Sequence, residues 1–188
     1  MKIKLPSVPS GFADPITGYP PNDEVQMTGL LGYFHQKGSV DWSAVPLLSP
    51  DVSLSGRMAN EILGQTVICS EYPLFWSSKS ELNIWGSMRA DLICLSPDQK
   101  SVVLIENKLG SIFTGKGADP VAGQLAKQAD FLLRCKVPKV CLVLLSTTEW
   151  FAKGWYSTEL LNTLRLNERN KKVDGFLMRW EDVLASLH

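Results

Sequence analysis

The chain has 188 residues, 45% of them hydrophobic and 20% charged, with 19 basic side chains against 19 acidic ones. That length accommodates one compact domain with a proper core and is short for two, and the composition excludes a disordered chain. The cancelling charges exclude a protein that coats DNA through a global field, so any attraction to nucleic acid must come from local clustering.

Residues 1 to 50 are rich in Pro and Gly, with Pro6, Pro9, Pro15, Pro20 and Pro21 too closely spaced for a long helix near the start. This stretch reads as an arm or wrapping segment carrying one short helix around Val25 to His35. Lys2 and Lys4 are followed by Pro6 and Pro9 before any apolar signal region develops, and no run reaches membrane-spanning length. The expectation is a soluble, cytoplasmic protein with no membrane partner. Cys69, Cys94, Cys135 and Cys141 form no C-x-x-C pair, and three of them sit in apolar runs, as buried reduced thiols do.

From Ser53 onward Leu54, Met58, Ala59, Ile62 and Leu63 recur at helical spacing, with Ser53 or Ser55 as a cap and Gly64 as a stop, which predicts a helix carrying Glu61. Val67 to Phe75 reads as a strand. The segment Gly86-Ser-Met-Arg-Ala-Asp91-Leu-Ile-Cys-Leu95 leads through Ser-Pro-Asp-Gln into Val102-Val-Leu-Ile-Glu106-Asn-Lys108, two apolar strands that have little reason to carry charge. Folded back about Asp98 and Gln99, they place Asp91 opposite Glu106, and the two-residue strand period puts Glu106 and Lys108 on one face. Two carboxylates that close repel each other unless a cation lies between them, and a neighbouring ammonium suits an anionic substrate or a nucleophilic water. This is the chemistry of metal-assisted phosphodiester hydrolysis. The alternative is a salt bridge from Lys108 to Glu106 or Asp91 that merely neutralises partly buried charge.

Gly110 to Ala118 has the glycine content of a loop, Asp119-Pro120 reads as a helix start, and a helix is predicted over Val121 to Arg134, ended by Pro138. Lys139 to Ser146 is a continuous apolar run of the kind buried on both faces in a parallel strand. Strand, helix and strand make a crossover unit. Ser157 to Asn167 looks helical, Gly175 to Trp180 a short strand and Glu181 to His188 a terminal helix. Gly115-Lys116-Gly117 lacks the spacing of a phosphate-binding loop, and with His35 and His188 the only histidines and no G-x-S-x-G elbow, a Ser or Cys hydrolase has little support.

These residues, in this order, resemble the PD-(D/E)XK nuclease superfamily, particularly its RecB-like and small defence-associated branches, over about residues 53 to 146. The ending Met178-Arg-Trp-Glu-Asp-Val-Leu is also similar to small members. The resemblance implies an α/β restriction-endonuclease-like core, αβββαβ, with a mixed central sheet flanked by helices. It carries over Glu61 as the acid of the first helix, Asp91 as the metal-binding aspartate of the second strand, Glu106 and Lys108 as the Glu-X-Lys of the third, and Gln124 as the glutamine of the following helix. Two departures stand out: the RecB-like pattern has a tyrosine four residues after that glutamine, where this chain has Gln128, and Ala90 replaces the proline of the family name.

The implied activity is Mg2+-dependent hydrolysis of DNA, with Mn2+ as a substitute and RNA not excluded, in restriction, phage defence, repair or mobile-element biology. Asp91 and Glu106 would ligate the metal together with the Asn107 carbonyl, Lys108 would orient water, and Glu61 would hold a second ion or water. Arg89, Lys116 and Gln128 are candidate phosphate contacts. Each also has an ordinary reading: Glu61 as an exposed helix carboxylate, Gln124 as a surface amide, Arg89 as a balance for the acidic cluster, Lys116 as a solvated loop lysine. Among the tryptophans, Trp76, Trp85, Trp150 and Trp155 could stack on bases, although core packing is the commoner use. One active centre per chain and two strands to cut lead to the expectation of a homodimer, with a targeting partner protein left open. The competing reading is a binding or scaffold module that kept the fold and lost turnover.

Overall fold

A computed structural model describes residues 24–64, 66–75, 87–109, 120–154, 156, 160, 163–164, 167–168 and 171–188, with backbone alone at 69–75, 87–89, 120–123 and 167–168. The chain opens with α1 (Glu24–Lys37), followed by β1 (Pro46–Leu48), β2 (Leu54–Met58), the single turn α2 (Asn60–Leu63), β3 (Val67–Phe75), β4 (Ser87–Leu95) and β5 (Ser101–Lys108). Then come α3 (Pro120–Arg134), β6 (Lys139–Ser146), α4 (Thr148–Ala152), β7 (Asn167–Glu168), β8 (Lys171–Lys172), β9 (Asp174–Arg179) and α5 (Trp180–Ala185).

Seven strands form one mixed sheet in the order β2-β1-β9-β6-β5-β4-β3, while β7 and β8 pair separately. The expected hairpin is present: β4 and β5 run antiparallel with Leu92 opposite Ile105 and Leu95 opposite Val102. Its turn is held by Asp98, whose carboxylate accepts from the Ser96 hydroxyl and the Lys100 N–H, with Gln99 in the left-handed region at φ 55°. On its other side β5 pairs in parallel with β6, and β6 in parallel with β9. The continuous apolar run is therefore a central strand, buried on both faces as its composition implies.

Alternation along β5 sorts its side chains between two cores. Val103 and Ile105 join Leu92, Cys94, Val143 and Leu145 under α1 and α5, whereas Val102 and Leu104 join Ile93, Leu142 and Leu144 under α3 and α4. Each buried Leu or Ile contributes about 1.5–3 kcal/mol on transfer from water. Two helical layers thus hold the sheet, and β5 runs between them. Cys94 and Cys141 are buried and Cys135 half-buried, all as free thiols. Among the described residues, no helix is long and apolar enough to cross a membrane.

Two expectations are corrected. The stretch Leu54–Met58 is strand, not helix: Gly56 sits at φ +75°, outside the right-handed helical region, and β2 pairs antiparallel with β1. Leu54 is 72% exposed, so the helical spacing of apolar residues there marks no buried face, and only α2 remains of the expected helix. The second correction concerns the arm. Its residues from Glu24 on are core structure: Met27, Leu30, Leu31 and Phe34 form a buried i, i+3, i+4, i+7 stripe on α1, and β1 belongs to the main sheet. Gly38, at φ +66°, ends α1 with the Gly38 N–H on the His35 carbonyl and the Ser39 N–H on the Phe34 carbonyl, the paired closure of a Schellman motif.

Gly29 lies exposed in the interior of α1, and a Cβ there would meet nothing within 4 Å. Gly29→Ala should raise the unfolding free energy by about 0.8–1 kcal/mol. Urea denaturation checks this, as a higher midpoint with an unchanged slope.

Candidate functional site

Glu106 and Lys108 extend the face of β5 already occupied by Val102 and Leu104, so both point toward α3. Glu106 is fully buried. Its Oε1 accepts from Gln124 Nε2 at 2.7 Å and from Lys108 Nζ at 2.5 Å, and its Oε2 accepts from Gln128 Nε2 at 2.6 Å. The two amides stand one turn apart on α3, and each takes a different oxygen of the same carboxylate. Lys108 also pairs with Glu24 Oε1 at 3.4 Å, and Glu24 Oε2 accepts from the Leu109 N–H at 3.0 Å. Glu24, in the first turn of α1, thus reaches round the end of β5 to the ammonium.

The hairpin register, continued one step beyond the Leu92–Ile105 pair, brings Asp91 level with Glu106. Asp91 Oδ2 accepts from the Asn107 N–H at 2.7 Å. Burial and the field of Glu106 push Asp91 up to about 7, against the Asn107 hydrogen bond and the pull of Lys108. Glu106 is raised by burial as well, opposed chiefly by Lys108. Burial acts to lower Lys108, but Glu106 and Glu24 outweigh it and hold the ammonium above the ordinary lysine value. Lys108 is therefore a fixed cation here and not a base.

Among the described side chains, three carboxylates, Glu24, Asp91 and Glu106, interact with one ammonium. Burial raises Asp91 and Glu106, the field of Glu106 adding to it at Asp91, and a divalent cation would favour the ionised form of each. The donors are hard oxygens of the kind Mg2+ takes. Asp91 Oδ1 carries no hydrogen bond among the described residues, and the three donors on Glu106 leave part of its lone-pair capacity unused. The fit is nonetheless one of chemistry and not of a finished cage: among the described residues no three His, Cys, Asp or Glu side chains are grouped to hold an ion.

Asp91, Glu106, Lys108, Gln124 and Gln128 come together, then, and Asn107 joins them through its backbone. Glu61 does not. It caps its own corner, accepting from Arg57 Nε at 2.9 Å and from the Met58 N–H at 2.8 Å, and these bonds, the backbone one foremost, hold it below the ordinary carboxylate range. It borders a cavity of about 630 Å3 that also includes Asp98, at the turn end of the hairpin and away from the Asp91 end. The helix that was to carry it into the site is largely strand, and the acid that reaches Lys108 from a helix is Glu24. An acid in the first turn of a buried stripe was the available signal, set in a Pro-rich stretch. Arg89 lies on β4 opposite Pro73, with its side chain outside the described structure, and Lys116 lies outside the described residues altogether. Trp76, Trp85 and Trp155 also fall outside. Trp150 is buried and stacks on Tyr156 with ring centroids 5.5 Å apart, so it is a core residue. His35 bridges Trp42 Nε1 and the Thr66 carbonyl, away from the carboxylates.

No family model matches the chain, and neither does any curated protein or solved structure.

Because Asp91 is raised from 3.8 to about 7, folding disfavours its ionised form, so its contribution to stability declines as pH rises between those values. Asp91→Asn keeps an oxygen acceptor for the Asn107 N–H and removes the charge. The variant should melt above the wild type at pH 8, with the difference shrinking toward pH 4. Thermal unfolding across that range checks the sign. Adding Mg2+ should raise the wild-type midpoint at pH 8 and leave the variant nearly unmoved.

Proposed function

We propose that this chain is a Mg2+-dependent nuclease of the PD-(D/E)XK kind that hydrolyses phosphodiester bonds in DNA. The observation that carries the reading is the grouping of Asp91, Glu106 and Lys108 at one end of the β4–β5 hairpin, with Glu106 gripped by two α3 amides. A hydrophobic core gains nothing from burying a carboxylate and supplying three donors to hold it, since an apolar side chain of similar size is as stable or more so there. Function is the better account.

When bound, Mg2+ or Mn2+ on Asp91 and Glu106 would polarise a phosphate oxygen and lower the pKa of a water. The chain's own part is positional and electrostatic. Gln124 and Gln128 fix the plane of the Glu106 carboxylate, so its oxygens keep one orientation. The Asn107 N–H fixes Asp91 in the same way. Lys108, held protonated by Glu106 and Glu24, places positive charge beside the carboxylates, where it stabilises the charge that develops on phosphorus and orients the attacking water.

The competing reading, a fold that binds without cutting, draws on a different observation: Lys108 is engaged by both Glu106 and Glu24, and among the described residues no three-acid cage is formed. Cleavage decides between them. Purified protein with Mg2+ or Mn2+ should cut at least one of single-stranded, double-stranded or branched DNA, with RNA as the comparison. Glu106→Ala and Lys108→Ala should each lower the rate by at least about a hundredfold, while Glu61→Ala leaves it unchanged. If no substrate is cut faster by the wild type than by Glu106→Ala, the nuclease reading is wrong and the binding module stands.

A further inference from the structure

The residue between Glu106 and Lys108 faces the other way, and its surroundings are unusually complete. Asn107 is fully buried on the α1 and α5 side of the sheet. Its Oδ1 accepts from Trp180 Nε1 at 2.8 Å, and its Nδ2 donates to Thr28 Oγ1 at 2.8 Å and to the Glu24 carbonyl at 3.1 Å. The Thr28 hydroxyl in turn donates to that same carbonyl at 2.9 Å. Trp180 opens α5 at the end of the Met178-Arg-Trp stretch and is itself fully buried. One asparagine side chain therefore ties the first turn of α1 to the first residue of α5 through the strand that carries the site.

We infer that Trp180 and Asn107 are positioning residues, which lock Glu24 against Lys108 and the Asn107 peptide against Asp91 from the back of the sheet. Fixing Asn107 by its side chain fixes the direction of its N–H, the donor to Asp91. Fixing the Glu24 backbone sets where that residue's carboxylate meets Leu109 and Lys108. Neither Trp180 nor Thr28 touches a reacting group, so both act through Asn107. A phenylalanine at 180 keeps an aromatic ring there, smaller by the pyrrole portion, and leaves Asn107 Oδ1 without its indole donor in a buried site, where the loss is felt in full.

The inference rests on the nuclease reading only for what the positioned groups do, and the test separates the two. Thr28→Val removes one end of the link at nearly constant shape, Trp180→Phe removes the other at the cost of a small cavity, and Val183→Ala, a cavity one turn along the same helix at a side chain that can make no hydrogen bond to Asn107, serves as the packing control. Amide hydrogen exchange needs no metal: both link variants should speed exchange at Asn107 and Leu109 by about tenfold relative to Leu142 and Val143 in β6, whereas Val183→Ala should speed all of them together. Mn2+ affinity measured by calorimetry should fall by about tenfold in both link variants and not in Val183→Ala. Exchange at Asn107 and Leu109 that rises no more than in the control overturns the inference, and so does unchanged Mn2+ affinity in a wild type that binds the ion. A wild type that binds no Mn2+ overturns the nuclease reading instead, and the exchange result still decides the positioning role.

Discussion

The structure turns on one carboxylate that water does not reach. An ionised Glu106 in an apolar interior would be ruinous alone, and its burial is possible because an ammonium and two amides surround it. Much else follows from supplying those donors. Lys108 must share the face of Glu106, so the strand must stay straight for two residues past its apolar run. The helix after the strand must cross back over that face to deliver Gln124 and Gln128, which the parallel β5-α3-β6 unit accomplishes. Asp91, at the same level on the neighbouring strand, has one peptide N–H where Glu106 has three side-chain donors, and burial raises both acids.

β5 also shows how a single strand can serve two purposes at once. Its even-numbered residues pass from core to charge, Val102 and Leu104 giving way to Glu106 and Lys108, while its odd-numbered residues pass from core to scaffold, Val103 and Ile105 giving way to Asn107. Both changes occur at the same end of the strand. The charged pair and the Asn107 side chain are thus separated by the thickness of one backbone, and the Asn107 peptide, which faces Asp91, belongs to both.

The sheet around the site was legible because its signals are local. The alternation of β4 and β5, the Asp98 turn, the proline opening α3 and the unbroken apolar run of β6 each lie within a dozen residues, and together they set the hairpin register and the parallel pairing. Gln124 came from the family resemblance, with Gln128 one helical turn after it, and neither was expected to bond Glu106. What escaped depended on distant partners or on backbone angles. Glu24 lies 84 residues from Lys108 in the chain, in a stretch whose prolines mask the helical stripe that follows. Glu61 was misplaced because residues 54–58 have helical spacing without a helical backbone: Gly56 at φ +75° breaks the helix there and leaves only the single turn α2, and no count of apolar positions reveals that angle. Trp180 stood in a noticed motif, yet only the folded chain sets its indole against Asn107.

The paired grip of α3 on Glu106 has a consequence for how this helix can change over evolutionary time. Two side chains four apart reach one carboxylate only if every residue between them keeps its helical phase, since each insertion or deletion rotates all that follows by about 100°. A length change inside this segment would swing Gln128 away from Glu106 and carry Leu132 and Ala129 out of the core with it. Beyond Arg134, where the helix is already ending, the same change would disturb neither. The grip on Glu106 would thus survive an insertion or deletion only at the helix's flanks, whereas a substitution leaves the helical phase intact.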